Sequence, residues 1–179
     1  MTVDDGLIRA LAVGEGEQLR IGAFQLTIKV TAAATQGAYC MVETLVAPRL
    51  LSPPHEHVAD DQLVYVLAGT IGFRTGDEEH VAGPGGSVFR PRKVPHALWN
   101  PTDEPARIIE ITSPGTIETY FLEADALTRA GGADGEAIRR LGEQHGQVPV
   151  AGWSNELFDA HGVSLSGASS SGSEIVAED

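Results

Sequence analysis

The sequence predicts an all-β domain, a sandwich or barrel of short strands, followed by a helical segment. Three observations carry that expectation. Apolar and polar residues alternate with period two in short runs up to about residue 112. Turn residues recur between the runs: Gly69, Gly76-Asp77 and Gly83-Pro84-Gly85-Gly86. After Ser113-Pro114-Gly115 the apolar spacing changes to three and four.

Taken in order, residues 1–16 read as an N-terminal arm, residues 17–115 as the β domain, 116–163 as the helical extension and 164–179 as a disordered tail. Phe24, Leu26, Ile28 and Val30 share one face of the clearest strand. Tyr39 to Val46 follows after the Gln36-Gly37 turn. Pro91, Pro95, Pro101 and Pro105 exclude helix from the second half of the β region. Beyond it, Ile117, Tyr120, Phe121, Ala124 and Leu127 form one helical face, stopped by Gly131-Gly132. A second helix is expected over Asp134 to His145 and a third over Ser154 to Ala160, capped by Ser154 or Asn155. The Ser-, Gly- and acid-rich stretch from Leu165 onward has too little apolar content to fold.

Composition narrows the function. The chain has 179 residues and a formal net charge of −13, which opposes binding to phosphate backbones and anionic membrane surfaces. A single cysteine, Cys40, excludes an internal disulfide and a cysteine zinc cluster. The first residues lack the basic and apolar regions of a signal peptide, and no apolar run reaches the ~20 residues that span a bilayer. A cytoplasmic protein acting on a small molecule is the expectation.

The chemistry concentrates in two histidine clusters. His55 and His57, at i and i+2, point to the same side of one strand, with Gln62 and Gly69 downstream. Gly85, Pro91, Lys93, His96 and Asn100 form the second group. A third imidazole arriving from another strand, with one further side chain, can close a donor set around a divalent ion.

These residues resemble the two motifs of the cupin superfamily, G-x5-H-x-H-x(3,4)-E-x6-G and G-x5-P-x-G-x2-H-x3-N. The first is matched by His55, His57, Gln62 and Gly69, and the second by Gly85, Pro91, His96 and Asn100. Three positions depart: the opening glycine of the first motif is absent, Gln62 replaces its glutamate, and Lys93 replaces the inner glycine of the second. The resemblance spans roughly residues 40 to 115. It implies a cupin jelly-roll β-barrel, here with a C-terminal helical extension, and a single divalent metal (Fe, Ni, Mn, Zn or Cu) held by His55, His57, Gln62 and His96.

A glutamine amide can offer its oxygen to a metal but cannot take up a proton, so the ion's charge is left for an anionic, oxygen-chelating substrate. Gln62 is preferred as ligand over Asp60 or Asp61, because Asp61 points to the opposite face from Gln62. Glu43 and Glu110, in flanking strands, are the candidate general bases, and Met41, Tyr65, Phe73, Phe89 and Leu98 the candidate pocket walls. His80, His145 and His161 are read as surface or helix-end residues, and Arg90, Arg92 and Lys93 as a solvated basic loop, with steering of an anionic substrate to the metal as the alternative.

By resemblance the chain is a monocupin similar to quercetinase-like dioxygenases. The alternative is a redox-neutral Lewis-acid enzyme (polyketide cyclase, uronate-type isomerase or lyase), since H-x-H-x4-Q looks like the uronate ring-opening group. A non-catalytic sensor ranks third. A homodimer is expected, built through the apolar strand Phe24 to Val30.

Overall fold

A computed structural model describes residues 10–167. Alternating side chains build two facing antiparallel sheets. The larger takes strands β1 (Glu17–Ile21), β2 (Phe24–Val30), β3 (Cys40–Val46), β5 (Asp61–Ala68), β8 (Ser87–Arg90) and β10 (Ala106–Ser113), in the spatial order β1-β2-β3-β10-β5-β8. The smaller takes β4 (His55–His57), β6 (Ile71–Thr75), β7 (Glu78–Ala82), β9 (His96–Trp99) and β11 (Gln147–Pro149), in the order β11-β4-β9-β6-β7. Among the described residues three α-helices, α1 (Ile117–Arg129), α2 (Gly135–Gln144) and α3 (Trp153–His161), follow β10, with β11 between the last two. This is a jelly roll with C-terminal helices.

Strand parity sorts the core. Val42 and Val46 of β3, Val64 and Val66 of β5, and Ala106 and Ile108 of β10 are buried, while their sequence neighbours face out. Val46, Val64, Val66 and Ile108 pack against Ile71, Phe73 and Leu98 of the facing sheet. A second cluster joins β1–β3 to α1 through Leu26, Ile28, Val42, Ile117, Tyr120 and Ala124. The third lies outside the smaller sheet, where Leu157 of α3 covers Ala97 and Trp99. Expelling this much apolar area from water is the main force closing the barrel.

Helices appear where apolar spacing places them, within a residue or two. Asp134 caps α2, its Oδ1 accepting from the Ala137 amide at 2.7 Å. For α3 the expected Ser154 or Asn155 cap is replaced by Gly152, which offers no side-chain cap. The short strand β11 falls inside the segment read as purely helical, pairing His57 with Gln147 and His55 with Pro149. None of the helices among the described residues is long and apolar enough to cross a membrane. Of the expected disordered tail, residues 168–179 lie outside the described residues, as do residues 1–9 of the arm.

Candidate metal centre

Parity and pairing bring the three imidazoles together. His55 and His57 project from the same side of β4, and His55 pairs directly with His96 on β9. One ring nitrogen from each of His55, His57 and His96 lies within 4.8 Å of the others. His57 and His96 are buried, and His55 opens partly to the cavity.

Hydrogen bonds orient the rings. His55 Nδ1 donates to the Pro53 carbonyl at 2.7 Å, and His96 Nδ1 to that of Val94 at 2.9 Å. Each ring therefore keeps its Nε2 lone pair free, the tautomer following from these partners. His55 Nε2 and His57 Nε2 stand 3.2 Å apart. That is close to the separation of two nitrogens each ~2.1 Å from a common ion. His57 Nδ1 is buried without a hydrogen-bond partner, with the Asp60 carboxylate 3.7 Å away.

Two buried acceptors complete the fit. His96 Nε2 and Gln62 Oε1 have no hydrogen-bond partner. Leaving such groups unpaired costs ~1–3 kcal/mol each, which a bound cation would recover. The Gln62 amide nitrogen donates to Thr112 Oγ1 at 3.2 Å, leaving the oxygen as the free end. The three imidazoles could hold one divalent ion, without selecting among the first-row metals, and Gln62, with its unpaired Oε1, lines the same cavity. Asp61 is turned away, held by Arg92 at 2.7 Å on the surface.

Burial, reinforced by the nearby Arg90 charge, holds the imidazoles in the neutral form a metal requires. It lowers His55 to about 4 and His57 to about 3, with the neighbouring His55 adding to the effect at His57. His96 is depressed further, first by burial and then by Arg90.

Arg90 is the residue that sequence reasoning missed. Read as part of a solvated loop, it is 2% exposed and lines the cavity, its Nη2 donating to Glu110 Oε1 at 2.7 Å. Its Nε is buried without a partner. Glu110 also accepts from Thr44 Oγ1 at 3.0 Å and lines the same cavity as His55, His57 and Gln62. Register held the signal: Arg90 pairs with Gln62, so both point inward.

Several expected positions are corrected. Glu43 lies on the outer face of β3, bound to Arg107 at 2.9 Å and Lys29 at 3.2 Å, away from the cavity. Tyr65 and Phe89, 44% and 59% exposed, also face out, because they alternate with the inward Val64 and Arg90. Met41 shares the outer parity of Glu43. Phe73 is fully buried in the inter-sheet core rather than in the cavity wall. Leu98 does line the cavity, while Trp99 turns to the other face, stacking on His161. His80, His145 and His161 pair with Glu78, Glu123 and Glu79.

The cavity has a volume of about 510 Å³, a size that accommodates a small organic ligand. Two facing antiparallel sheets hold the three imidazoles together inside a jelly-roll barrel. The cupin domain family model matches residues 42–112, the stretch that holds the three histidines and Gln62.

Solved structures of similar fold include KdgF from Halomonas sp. (21% identity, 57% of this chain and 90% of that one, TM-score 0.51). The polyketide cyclase RemF from Streptomyces resistomycificus is similar at 20% identity, over 59% of this chain and 79% of that one, with TM-score 0.53. A sugar phosphate isomerase from Silicibacter pomeroyi is similar at 21% identity, over 59% and 75%, with TM-score 0.51. At these identities the likeness is one of fold. No curated protein matches the chain.

Proposed function

We propose that the chain is a metal-dependent cupin enzyme that moves protons on a small, oxygen-chelating organic anion without net oxidation. The observation that carries this reading is the Glu110 carboxylate, anchored by Arg90 and Thr44 in the cavity that also holds the histidine cluster. Because Gln62 cannot exchange a proton, Glu110 is the group available for acid–base work. A divalent ion held by His55, His57, His96 and Gln62 would act as a Lewis acid toward the substrate's oxygens.

The protein's own residues then divide the work. Arg90 supplies a fixed positive charge for the anionic substrate and holds one Glu110 oxygen in place. Glu110 takes a proton from the substrate and returns it at another atom, so no electrons leave and the carboxylate is regenerated.

This reading reverses the order favoured by resemblance, where the dioxygenase stood first. The cavity's apolar walls favour that second reading, because they suit an aromatic substrate. Oxygen uptake separates the two. Metal-loaded protein offered hydroxy-ketones, catechols and unsaturated uronates is expected to convert one class without consuming O2; stoichiometric O2 uptake would establish the dioxygenase instead.

Metal analysis tests the centre itself. His55→Ala, His57→Ala and His96→Ala are each expected to lower bound metal from one ion per chain to near zero. Gln62→Glu is expected to tighten metal binding several-fold by adding a charge. An unchanged affinity would remove Gln62 from the ligand set.

A further inference from the structure

The cavity does not end at the cupin domain. Beside His55, His57, Gln62, Arg90 and Glu110 its lining takes in segments outside residues 42–112, mostly apolar, with Arg139, Gln147 and Ser154 the polar members. Phe24 and Leu26 come from β2, Tyr120 and Phe121 from α1, and Ile138 from α2. These residues belong to or pack against one core cluster, so the apolar wall is a built feature of the fold. The elements are secured independently: Asp125 of α1 accepts from the Arg20 amide of β1 at 2.7 Å, and β11 pairs with the ligand strand β4.

The cavity therefore has two ends with different chemistry. The inner end, where the histidines would hold a divalent ion beside Arg90 and Glu110, suits adjacent oxygens. The outer end offers aromatic and aliphatic side chains and favours a ligand that buries apolar area there, at roughly 25 cal/mol per Å². A compact sugar acid or short hydroxy acid would leave those walls without apolar contact.

Resting on the metal-dependent reading above, we propose that the substrate is a two-part molecule, with a hydroxy-carboxylate or hydroxy-ketone head and a fused aromatic body. The head meets the histidine end, and the body lies between β2 and the helices α1 and α2. On this assignment the C-terminal extension is the specificity half of the site. Tyr120, Phe121 and Ile138 are residues that select by shape.

Calorimetry on the metal-loaded full chain tests this with two probes carrying a hydroxy-carboxylate head. Lactate has almost no body; 3-hydroxy-2-naphthoate carries a fused aromatic one. The naphthoate is expected to bind at least tenfold more tightly. Ile138→Trp, which fills the chamber from α2, and Phe121→Ala, which removes a wall from α1, are each expected to bring the ratio of the two affinities toward one. Thermal melts identify any variant that fails to fold, and the other variant then carries the test. Equal affinities in the unaltered protein, or a ratio that neither folded variant changes, would overturn the assignment while leaving the metal centre standing. A chain that takes up no metal would remove both.

Discussion

At the scale of single residues, the imidazoles couple metal binding to pH. In the unfolded chain they titrate near 6.5, whereas burial lowers His55 to about 4 and His57 to about 3 in the folded one. As pH falls from 6.5 toward 4, the unfolded state gains protons that the folded state refuses, so the metal-free fold loses stability. Above 6.5 both states are neutral and this contribution is flat. The melting temperature of chelator-treated protein is expected to decline across that window, and His57→Ala should make the decline shallower. An identical slope in the variant would show that His57 is not the source. Lys93 gives a second prediction. It occupies the left-handed region at φ 62°, where the family motif has glycine, while its amide donates to the His57 carbonyl at 2.7 Å. Left-handed backbone costs a non-glycine residue ~1–2 kcal/mol, and glycine returns about half of that gain through unfolded-state entropy. Lys93→Gly is therefore expected to raise the melting temperature by about 1–4 °C. A lower one would mean that the lysine side chain contributes contacts outweighing the strain. The histidine cluster was legible because motif spacing and period two determine where a side chain points. The same rule, applied from Gln62, turns Tyr65 outward, whereas Arg90 is turned inward by its pairing with Gln62 across β5 and β8; judging Tyr65 and Phe89 by their apolar character put them on the wrong side.

Between elements, close approach decides how the smaller sheet is covered. Gly72 of β6 pairs with Trp99 of β9, and a Cβ at Gly72 would sit 2.1 Å from the indole. Trp99 is held there by Leu157 of α3 on one side and by the His161 ring, stacked at 4.4 Å between centroids. Gly72→Ala must displace a buried indole and is expected to cost about 1–3 kcal/mol, read as a lower denaturation midpoint at unchanged slope. A neutral result would mean that α3 yields easily. Strands and helices of this kind follow from periodicity. β11 does not: Gln147-Val148-Pro149 is too short for alternation to register, and it becomes a strand only because β4 presents an edge. The cavity walls escape sequence reading for the same reason, since Phe24, Tyr120 and Ile138 converge only through packing of distant elements.

For the whole molecule, the route to a homodimer changes. Strand Phe24–Val30 lies between β1 and β3 and so has no free edge to offer a second copy. The outer face of the larger sheet is the better candidate. Leu63, Tyr65, Leu67 and Phe89 are exposed there, with Phe89 opposite Leu63, and Tyr65 and Leu63 opposite Ile109 and Ile111. Six strands ~4.8 Å apart and about six residues long give a face of roughly 500 Å² in projection. Charge points to a second copy as the occupant. The chain carries −13, yet on this face Glu43 is matched by Lys29 and Arg107, so two copies meet there without the repulsion that their remaining surfaces impose. We propose a homodimer through this face. Sedimentation at micromolar concentration is expected to give twice the 18.8 kDa chain mass, and Phe89→Asp or Leu63→Asp should shift it to the monomer with metal content unchanged. A monomeric unaltered chain, or a dimer insensitive to both substitutions, would show that this face is not the interface between copies.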